Sequence, residues 1–510
     1  MMLDYQANKV SVKKKESVEK RRQKEQDTIA ERMMARAGKE GIEGLNIAVS
    51  GNLETFDNRE KLKAFLHEKG AELASSLTSK VDYLILNDQE SDAAKAKKAQ
   101  ELGIEIIHER RFNEMVGRVF EIDGTKLCRY CGMGTEVVIP DGVTEIGDYA
   151  FYKYRGLASV NIPNAVTEIG WSAFSGCINL TSVTIPDNVT SIGNSAFSFC
   201  SSLTSITLPR SLTHIGNRAF EFCQALTHLT IPEGVICIRD SAFAVCSSLT
   251  SVAIPKSVTT IEEEAFLFCN SLKEVHIDDL GAWCGISFAE PSASPLLSGA
   301  MLYLKGKLLE QASIPEEVTE IPNWAFANCQ SIRSVTIPAR VRKIGLEAFR
   351  NCGALASLML PTSVKEIGPR AFSDCAALAN ENGLVIVKDV LYNYFGKGGE
   401  VLIPEGVKRI ENSAFNNCKK VTGVALPSSL REIGNEAFSC SGLKSITIPE
   451  GVREVGIKAF DWCVYMKDAR LPQSLKTIKT DAFSTATIHA PAGSYAEQYA
   501  KAHRLSFVEE

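Results

Sequence analysis

The chain has 510 residues, of which 45% are hydrophobic and 23% charged, and its formal net charge is −5. A chain of this length is too long to form one ordinary globular core, so it indicates several units or an array of repeats. No stretch approaches about 18 consecutive apolar residues, and the charged N-terminus has no apolar segment behind it. We therefore expect no membrane span, no secretory signal and a cytoplasmic location. The 15 cysteines are too few for a disulfide scaffold.

Residues 1–40 carry 11 Lys/Arg against 7 Asp/Glu and few apolar groups. This composition predicts a charged helix or a disordered arm. Such an arm would add nonspecific affinity for nucleic acid, or it would be a solvated linker. The net charge is −3 over residues 41–120 and −6 over residues 121–510. Judged by net charge alone, neither region is expected to bind a polyanion strongly.

Residues 41–120 alternate short apolar runs with amphipathic segments. An apolar strand ends at Ser50-Gly51, and a helix places Leu62, Phe65 and Leu66 on one face. Further along, Ser91 is predicted to cap a second helix. The resulting order, β-α-β-β-α-β-α, predicts a four-stranded parallel sheet covered by helices.

That order and its local motifs resemble the BRCT domain, above all those of NAD-dependent DNA ligases and of the clamp-loader large subunit. The shared motifs are the strand end Ser50-Gly51, the small pair Gly70-Ala71, the run KVDYL at 80–84 and the run KAQELGI at 98–104. The resemblance covers about 75 residues of the chain. A DNA ligase core is not implied, because no nucleotidyltransferase segment is present.

In BRCT domains that bind phosphate, a hydroxyl, the next glycine amide and a helix lysine hold one phosphate. The resemblance places these roles on Ser50, Gly51 and Lys95. A hydroxyl and an amide donate to phosphate oxygens, and an ammonium supplies charge. The alternative is a strand-ending turn beside a solvated lysine. A 5′-phosphorylated DNA end is a closer analogy than a phosphoprotein. The net charge of −3 over residues 41–120 nevertheless argues against strong DNA affinity.

Thirteen prolines then mark a repeat of 23 residues, with one step of 22. Eleven residues after each proline comes a phenylalanine preceded by alanine. The prolines are Pro140, Pro163, Pro186, Pro209, Pro232, Pro255, Pro315, Pro338, Pro361, Pro404, Pro427, Pro449 and Pro472. Such self-similarity at a fixed period is typical of a solenoid.

One copy, residues 180–200, illustrates the unit. Alternating apolar residues predict a short strand that ends at Pro186, because proline cannot donate to a sheet ladder. Six or seven buried side chains stabilise a copy by roughly 10–20 kcal/mol, and ordering its backbone costs about 1–2 kcal/mol per residue. A single copy cannot fold alone, so the copies must stack.

This pattern resembles the BspA-like (Treponema-type) leucine-rich repeat family. We therefore expect an α/β chain: a small BRCT domain at 41–120, then a solenoid of about 13 repeats at 121–490. Insertions are expected near 278–312 and 380–402, the second as a β-hairpin. Residues 491–510 should form a C-terminal cap. The resemblance also indicates a bacterial source.

Eleven cysteines follow the repeat phenylalanine by two or three residues. They are Cys177, Cys200, Cys223, Cys246, Cys269, Cys329, Cys352, Cys375, Cys418, Cys440 and Cys463. Stacked cysteines whose side chains point the same way do not have the geometry of a disulfide. We therefore expect these cysteines to be small buried apolar side chains, and not the ligands of a metal or a redox-active series. Cys128 and Cys131 form a CxxC pair, a weak metal candidate because no second pair is visible.

The sequence contains no catalytic motif, and we expect neither enzymatic activity nor a cofactor. The outward strand positions are mostly Ser and Thr, and His228, Glu274, His276 and Met359 interrupt them as candidate protein contacts. The first hypothesis is a scaffold that binds protein partners. The alternatives are a DNA-associated factor that recognises 5′-phosphorylated ends and a cell-surface adhesion protein, the last of which requires export.

Overall fold

The computed structural model describes residues 41–88 and 92–510. The chain divides into two compact units, Met1–Thr135 and Glu136–Glu510. The predicted arm at 1–40 and the predicted cap Ser91 lie outside the described residues. Within the described ranges, no helix is both long and apolar enough to cross a membrane.

The first unit contains the predicted order of elements. They are β1 (Asn46–Ser50), α1 (Arg59–Glu68), β2 (Glu72–Leu73), β3 (Tyr83–Leu86), α2 (Ala93–Glu101), β4 (Glu105–Ile107) and α3 (Glu109–Met115). All four strands are parallel, in the sheet order β2-β1-β3-β4. Helix α1 buries Leu62 and Leu66 because they lie four residues apart on one face. The four-stranded sheet covered by helices is thus present.

A hairpin of β5 (Phe120–Asp123) and β6 (Lys126–Tyr130) follows the last helix. Two guanidinium groups, those of Arg118 and Arg129, donate to the Thr55 carbonyl oxygen at 3.1 and 2.9 Å. The predicted domain boundary lies after residue 120, and the division into compact units lies after Thr135. Arg110 of α3 donates to the Tyr130 carbonyl oxygen of the hairpin at 3.0 Å.

The second unit is a solenoid with two columns of strands. One column has three to five residues per strand, and nearly all of its pairing is parallel. Its strands are Glu136–Val138, Ser159–Asn161, Ser182–Thr184, Ser205–Thr207, His228–Thr230, Ser251–Ile254, Glu274–Ile277, Met301–Leu304, Gln311–Ser313, Ser334–Thr336, Ser357–Met359, Gly399–Leu402, Val421–Ala425, Ser445–Thr447, Asp468–Arg470 and Thr487–Ala490.

The second column has two residues per strand, in the short segment that precedes each Ala-Phe pair, and one further strand from the first insertion, Ser287–Phe288. These strands are Glu145–Ile146, Glu168–Ile169, Ser191–Ile192, His214–Ile215, Cys237–Ile238, Thr260–Ile261, Ser287–Phe288, Glu320–Ile321, Lys343–Ile344, Glu366–Ile367, Arg409–Ile410, Glu432–Ile433, Glu454–Val455 and Thr477–Ile478. Copies approach closely here: a Cβ on Gly193 would lie 2.8 Å from the Gly170 carbonyl carbon. Gly193 does not have a positive φ, so glycine is needed here for the close approach and not for a left-handed backbone.

The repeat phenylalanines form the core, and all 13 are buried. The ring of Phe197 lies 5.0 Å from that of Phe174 and 5.4 Å from that of Phe220, nearly parallel to both. Behind them eight of the repeat cysteines donate to phenylalanine carbonyls, as Cys200 Sγ does to Phe174 at 3.2 Å. All 15 cysteines are free thiols, and burial raises the pKa of Cys269 to about 12.

The first insertion contains a short helix at Leu280–Trp283, a 3₁₀ turn at Pro291–Ala293 and a strand at Lys307–Leu308 that closes a hairpin. The short-strand column breaks after it and restarts at Glu320–Ile321. Pro322 occupies the position whose N–H in other copies donates to the preceding repeat, as Gly345 N does to Ile321 O. A proline is tolerated there because this strand is an edge.

The second insertion begins with a 3₁₀ turn at Ala376–Leu378 and is the predicted hairpin, Leu384–Val387 against Val390–Tyr394. At the C-terminus, a helix at Tyr495–His503 and a strand at Phe507–Glu509 follow the last repeat. The final strand pairs with Thr487–Ala490, and the Tyr499 hydroxyl accepts from Phe483 N at 3.2 Å. This segment is the predicted cap, because it supplies partners to the last repeat.

Candidate functional site

The three residues predicted to bind phosphate lie at one edge of the four-stranded sheet. Strand β1 ends at Ser50, whose side chain is 2% exposed, and the first turn of α2 carries Lys95. Lys95 Nζ donates to Ser50 Oγ at 2.8 Å. Gly51 has φ +76°, and no heavy atom lies within 4 Å of the place where its Cβ would be. Ser50 and Lys95 are therefore in contact, beside open backbone at Gly51.

Sequence reasoning missed a fourth member of this cluster, Asp92. Its carboxylate accepts a hydrogen bond from the Ser50 hydroxyl and lies 3.3 Å from Lys95 Nζ. The Ser50 hydroxyl and the Lys95 ammonium hold the pKa of Asp92 below its usual value, although partial burial opposes them. An oxyanion thus already occupies the position between the hydroxyl and the ammonium. The spacing of Asp92 and Lys95 on one helix turn was the available signal.

The sheet domain also has a buried carboxylate, that of Glu109 at the start of α3. Glu109 is 0% exposed. Its Oε1 accepts from Thr55 N at 2.8 Å, Thr55 Oγ1 at 2.6 Å and Phe56 N at 2.9 Å, while Oε2 accepts from Asn87 Nδ2 at 2.8 Å. These bonds fix the loop that follows β1. Glu109 therefore supports the segment immediately after Ser50-Gly51.

The CxxC pair lies on the hairpin of the first unit. Cys131 is buried, and burial raises the pKa of its thiol to about 11 even though Arg118 lies 3.3 Å from its Sγ. Metal binding requires the thiolate, which such burial disfavours. Across residues 41–88 and 92–510, no group of three or more His, Cys, Asp or Glu could hold a metal ion. The weak candidate Cys128 and Cys131 thus gains no further ligand there.

The candidate protein contacts lie on the longer strand column, and three of the four share one sheet. Glu274 and His276 are on adjacent outward positions, 3.0 Å apart between carboxylate and imidazole. The ring of His276 stacks on Tyr303 of the next strand at 4.8 Å. His228 lies two strands away in the same sheet, where its Nδ1 contacts Thr227 Oγ1.

Met359 lies in a different sheet, with Gln311–Ser313 and Ser334–Thr336. Its side chain is 64% exposed, and Thr336 Oγ1 donates to its Sδ at 3.7 Å. Tyr303 and Met301, the partners of His276 and Glu274 on the neighbouring strand, were not predicted. They come from the first insertion, where no repeat register assigns a direction to the side chains.

The first unit matches the model of the BRCA1 C Terminus (BRCT) domain over residues 42–116. The same region is 47% identical over 73 residues to a DNA ligase of *Ruminiclostridium cellulolyticum* and 38% identical over 86 residues to one of *Lachnoclostridium phytofermentans*. These matches cover 14% and 17% of this chain. The chain spans only 11% and 13% of those ligases, so the likeness concerns the BRCT region alone.

The repeats are similar to solved bacterial leucine-rich repeat structures. One, from *Bacteroides ovatus*, is 24% identical, with a TM-score of 0.40, and the match covers 70% of this chain and 87% of that one. Another, from T. pallidum, is 30% identical, with a TM-score of 0.32, and the match covers 36% of this chain and 88% of that one.

The model of the BspA type leucine rich repeat region matches residues 124–249, 190–283, 302–384 and 385–491, more than half of the chain. The stacked phenylalanines and the two strand columns are the structural form of that repeat. The chain therefore belongs to the BspA-type leucine-rich repeat family and carries a BRCT domain ahead of its repeats.

Proposed function

We propose that the protein is a non-enzymatic cytoplasmic scaffold. Its solenoid binds protein partners, and its BRCT domain binds a phosphate group through Ser50, Gly51 and Lys95. The contact of Lys95 Nζ with Ser50 Oγ at 2.8 Å carries the phosphate proposal, because it places a cation and a hydroxyl on one oxyanion position. The outward face of the strands, which is mostly Ser and Thr and carries the His276–Tyr303 stack, supports a role in protein binding.

Asp92 pairs with Ser50 and Lys95 in the absence of a phosphate ligand. Its carboxylate takes the hydrogen bonds that a phosphate would take, so a phosphate must displace it. A phosphate monoester carries more negative charge and more acceptor oxygens than a carboxylate. The exchange therefore favours a terminal phosphate over a phosphodiester or a carboxylate ligand.

Fluorescence anisotropy with 5′-phosphorylated and unphosphorylated duplexes, and with a phosphoserine peptide and its unmodified form, tests the site. We expect the full chain to bind a phosphorylated probe more tightly than its unmodified form. Lys95→Ala should remove that difference, and Lys97→Ala, an exposed lysine on the same helix, should keep it. Equal binding of modified and unmodified probes by the unsubstituted chain would refute phosphate recognition.

Asp92→Asn removes the competing charge and retains the size of the side chain. We expect it to tighten binding of the phosphorylated probe by about 3- to 10-fold, because the Ser50 hydroxyl and the Lys95 ammonium are then released. The double variant Asp92→Asn/Lys95→Ala should lose the gain. Unchanged or weaker binding by Asp92→Asn would show that the carboxylate does not occupy the phosphate position.

A DNA-end factor is the second candidate, and the 47% identity to a ligase BRCT region favours it. If the protein is a DNA-end factor, the 5′-phosphorylated duplex should bind more tightly than the phosphoserine peptide in the same assay. The cytoplasmic location is tested by cell fractionation. Recovery in the envelope fraction would instead favour the adhesion alternative.

A further inference from the structure

A column of left-handed residues runs along the solenoid, 13 residues after 12 of the 13 repeat prolines. In four consecutive copies it holds bulky apolar residues, namely Phe199, Phe222, Val245 and Phe268, which we call the apolar stripe. Their φ angles are 60°, 60°, 59° and 59°. A bulky or β-branched residue is rare in this conformation, because Cβ crowds the backbone.

Other copies fill the same register with other residues. Gly176, Asn328, Asn351 and Asn417 tolerate a positive φ, whereas Lys153, Cys440 and Trp462 adopt it in three further copies. The backbone hydrogen bonds of the register are alike in both groups: Phe199 N donates to Glu221 O, and Asn328 N donates to Arg350 O. The fold therefore does not require the apolar side chains of the stripe.

Phe199 is 48% exposed and Phe268 is 58% exposed, and Phe222 and Val245 are half-buried. The rings of Phe199 and Phe222 stack at 4.5 Å. The stripe therefore leaves large apolar side chains partly open to solvent, and exposed apolar surface of this kind marks interaction sites.

Acidic side chains lie around the stripe. Glu263 and Glu264 are exposed, and Glu221 and Asp240 are half-buried. Burial together with the neighbouring charges of Asp240 and Glu264 raises the pKa of Glu221, although Arg218 opposes them. Arg218 and Arg239 are basic neighbours of this rim, and Arg239 lies 3.8 Å from the Glu262 carboxylate. The four acidic groups named above therefore outnumber these two basic ones.

We propose that the apolar stripe is a docking surface for a basic amphipathic segment of a partner protein. The apolar side chains of such a segment would pack on Phe199, Phe222 and Phe268, and its Lys or Arg side chains would reach Glu221 and Glu264. Aromatic anchors with complementary charge at their rim are the usual composition of a protein interface. This surface is separate from the BRCT phosphate site and does not depend on it.

Three labelled synthetic peptides of one length probe this surface by fluorescence anisotropy: one of Leu and Lys, one of Leu and Glu, and one of Ser and Lys. We expect the full chain to bind the Leu/Lys peptide at least about 10-fold more tightly than the other two. Equal binding of the Leu/Glu peptide, or of the Ser/Lys peptide, would overturn the proposal, because charge and apolar contact must both contribute.

The variant Phe199→Asn/Phe222→Asn places in the stripe the residue that Asn328 and Asn351 supply elsewhere. Its binding of the Leu/Lys peptide should fall at least about 5-fold, and its Tm should stay equal or rise, because Asn tolerates the left-handed conformation. Trp462→Asn is the matched control: Trp462 is 68% exposed in the same register, at φ 55°, but outside the stripe. Unchanged binding by the double variant, or an equal loss in the control, would contradict the proposal.

Discussion

Phe197→Ala is expected to lower the free energy of unfolding of the solenoid by about 3–5 kcal/mol, as deletion of a buried Phe ring does. The ring is 0% exposed and lies between two others, so its removal leaves a cavity that touches both neighbouring repeats. In a solenoid each repeat is stabilised mainly by its neighbours, so no distant contact compensates for this loss.

Tryptophan fluorescence during urea titration measures this effect. All four tryptophans, Trp171, Trp283, Trp324 and Trp462, lie in the solenoid. The control is Phe199→Asn, which removes an exposed ring two residues away and should leave the transition in place. A loss below about 1 kcal/mol for Phe197→Ala would mean that the phenylalanine column is not the core.

Glu109→Ala is expected to destabilise the BRCT domain by about 3–5 kcal/mol, since it leaves buried backbone N–H groups without an acceptor. The donors include Thr55 N and Phe56 N, together with Thr55 Oγ1 and Asn87 Nδ2. An unsatisfied buried donor costs roughly 1–3 kcal/mol, and this carboxylate serves several. The loop after Ser50-Gly51 should open as well.

Amide hydrogen exchange followed by mass spectrometry measures this change, because the described part of the first unit contains no tryptophan. Peptides from residues 41–118 should exchange faster in Glu109→Ala. Glu101→Ala, which removes an exposed carboxylate at the end of α2, should leave them unchanged. Equal exchange in both variants would show that Glu109 does not hold the loop.

The repeat could be predicted from the sequence because one periodic pattern recurs along the chain. The pattern indicates which positions of each copy are buried. Phe197 and Cys200 lie in registers that recur many times, and their burial follows from the stacking. The left-handed backbone at Phe199 was not readable, because a bulky residue at positive φ contradicts local preference. Tertiary hydrogen bonds between neighbouring copies impose that conformation.

The phosphate candidates were found because Ser50-Gly51 and Lys95 belong to recognisable local motifs. Asp92 was not, since its contact with Ser50 joins residues 42 positions apart. Glu109 was missed for a related reason: an acidic residue in the first turn of a helix usually faces solvent. Here it turns inward, because the loop after β1 presents backbone N–H groups.

Phosphate binding by the BRCT domain at Ser50, Gly51 and Lys95 is the core of the proposed function. Hydrogen exchange of the full chain, with phosphorylated and unphosphorylated forms of one duplex or peptide, is its sharpest test. We expect slower exchange at residues 50–56 and 92–98 with the phosphorylated probe alone. Protection that is equal for both forms, or that lies elsewhere in the chain, would contradict it.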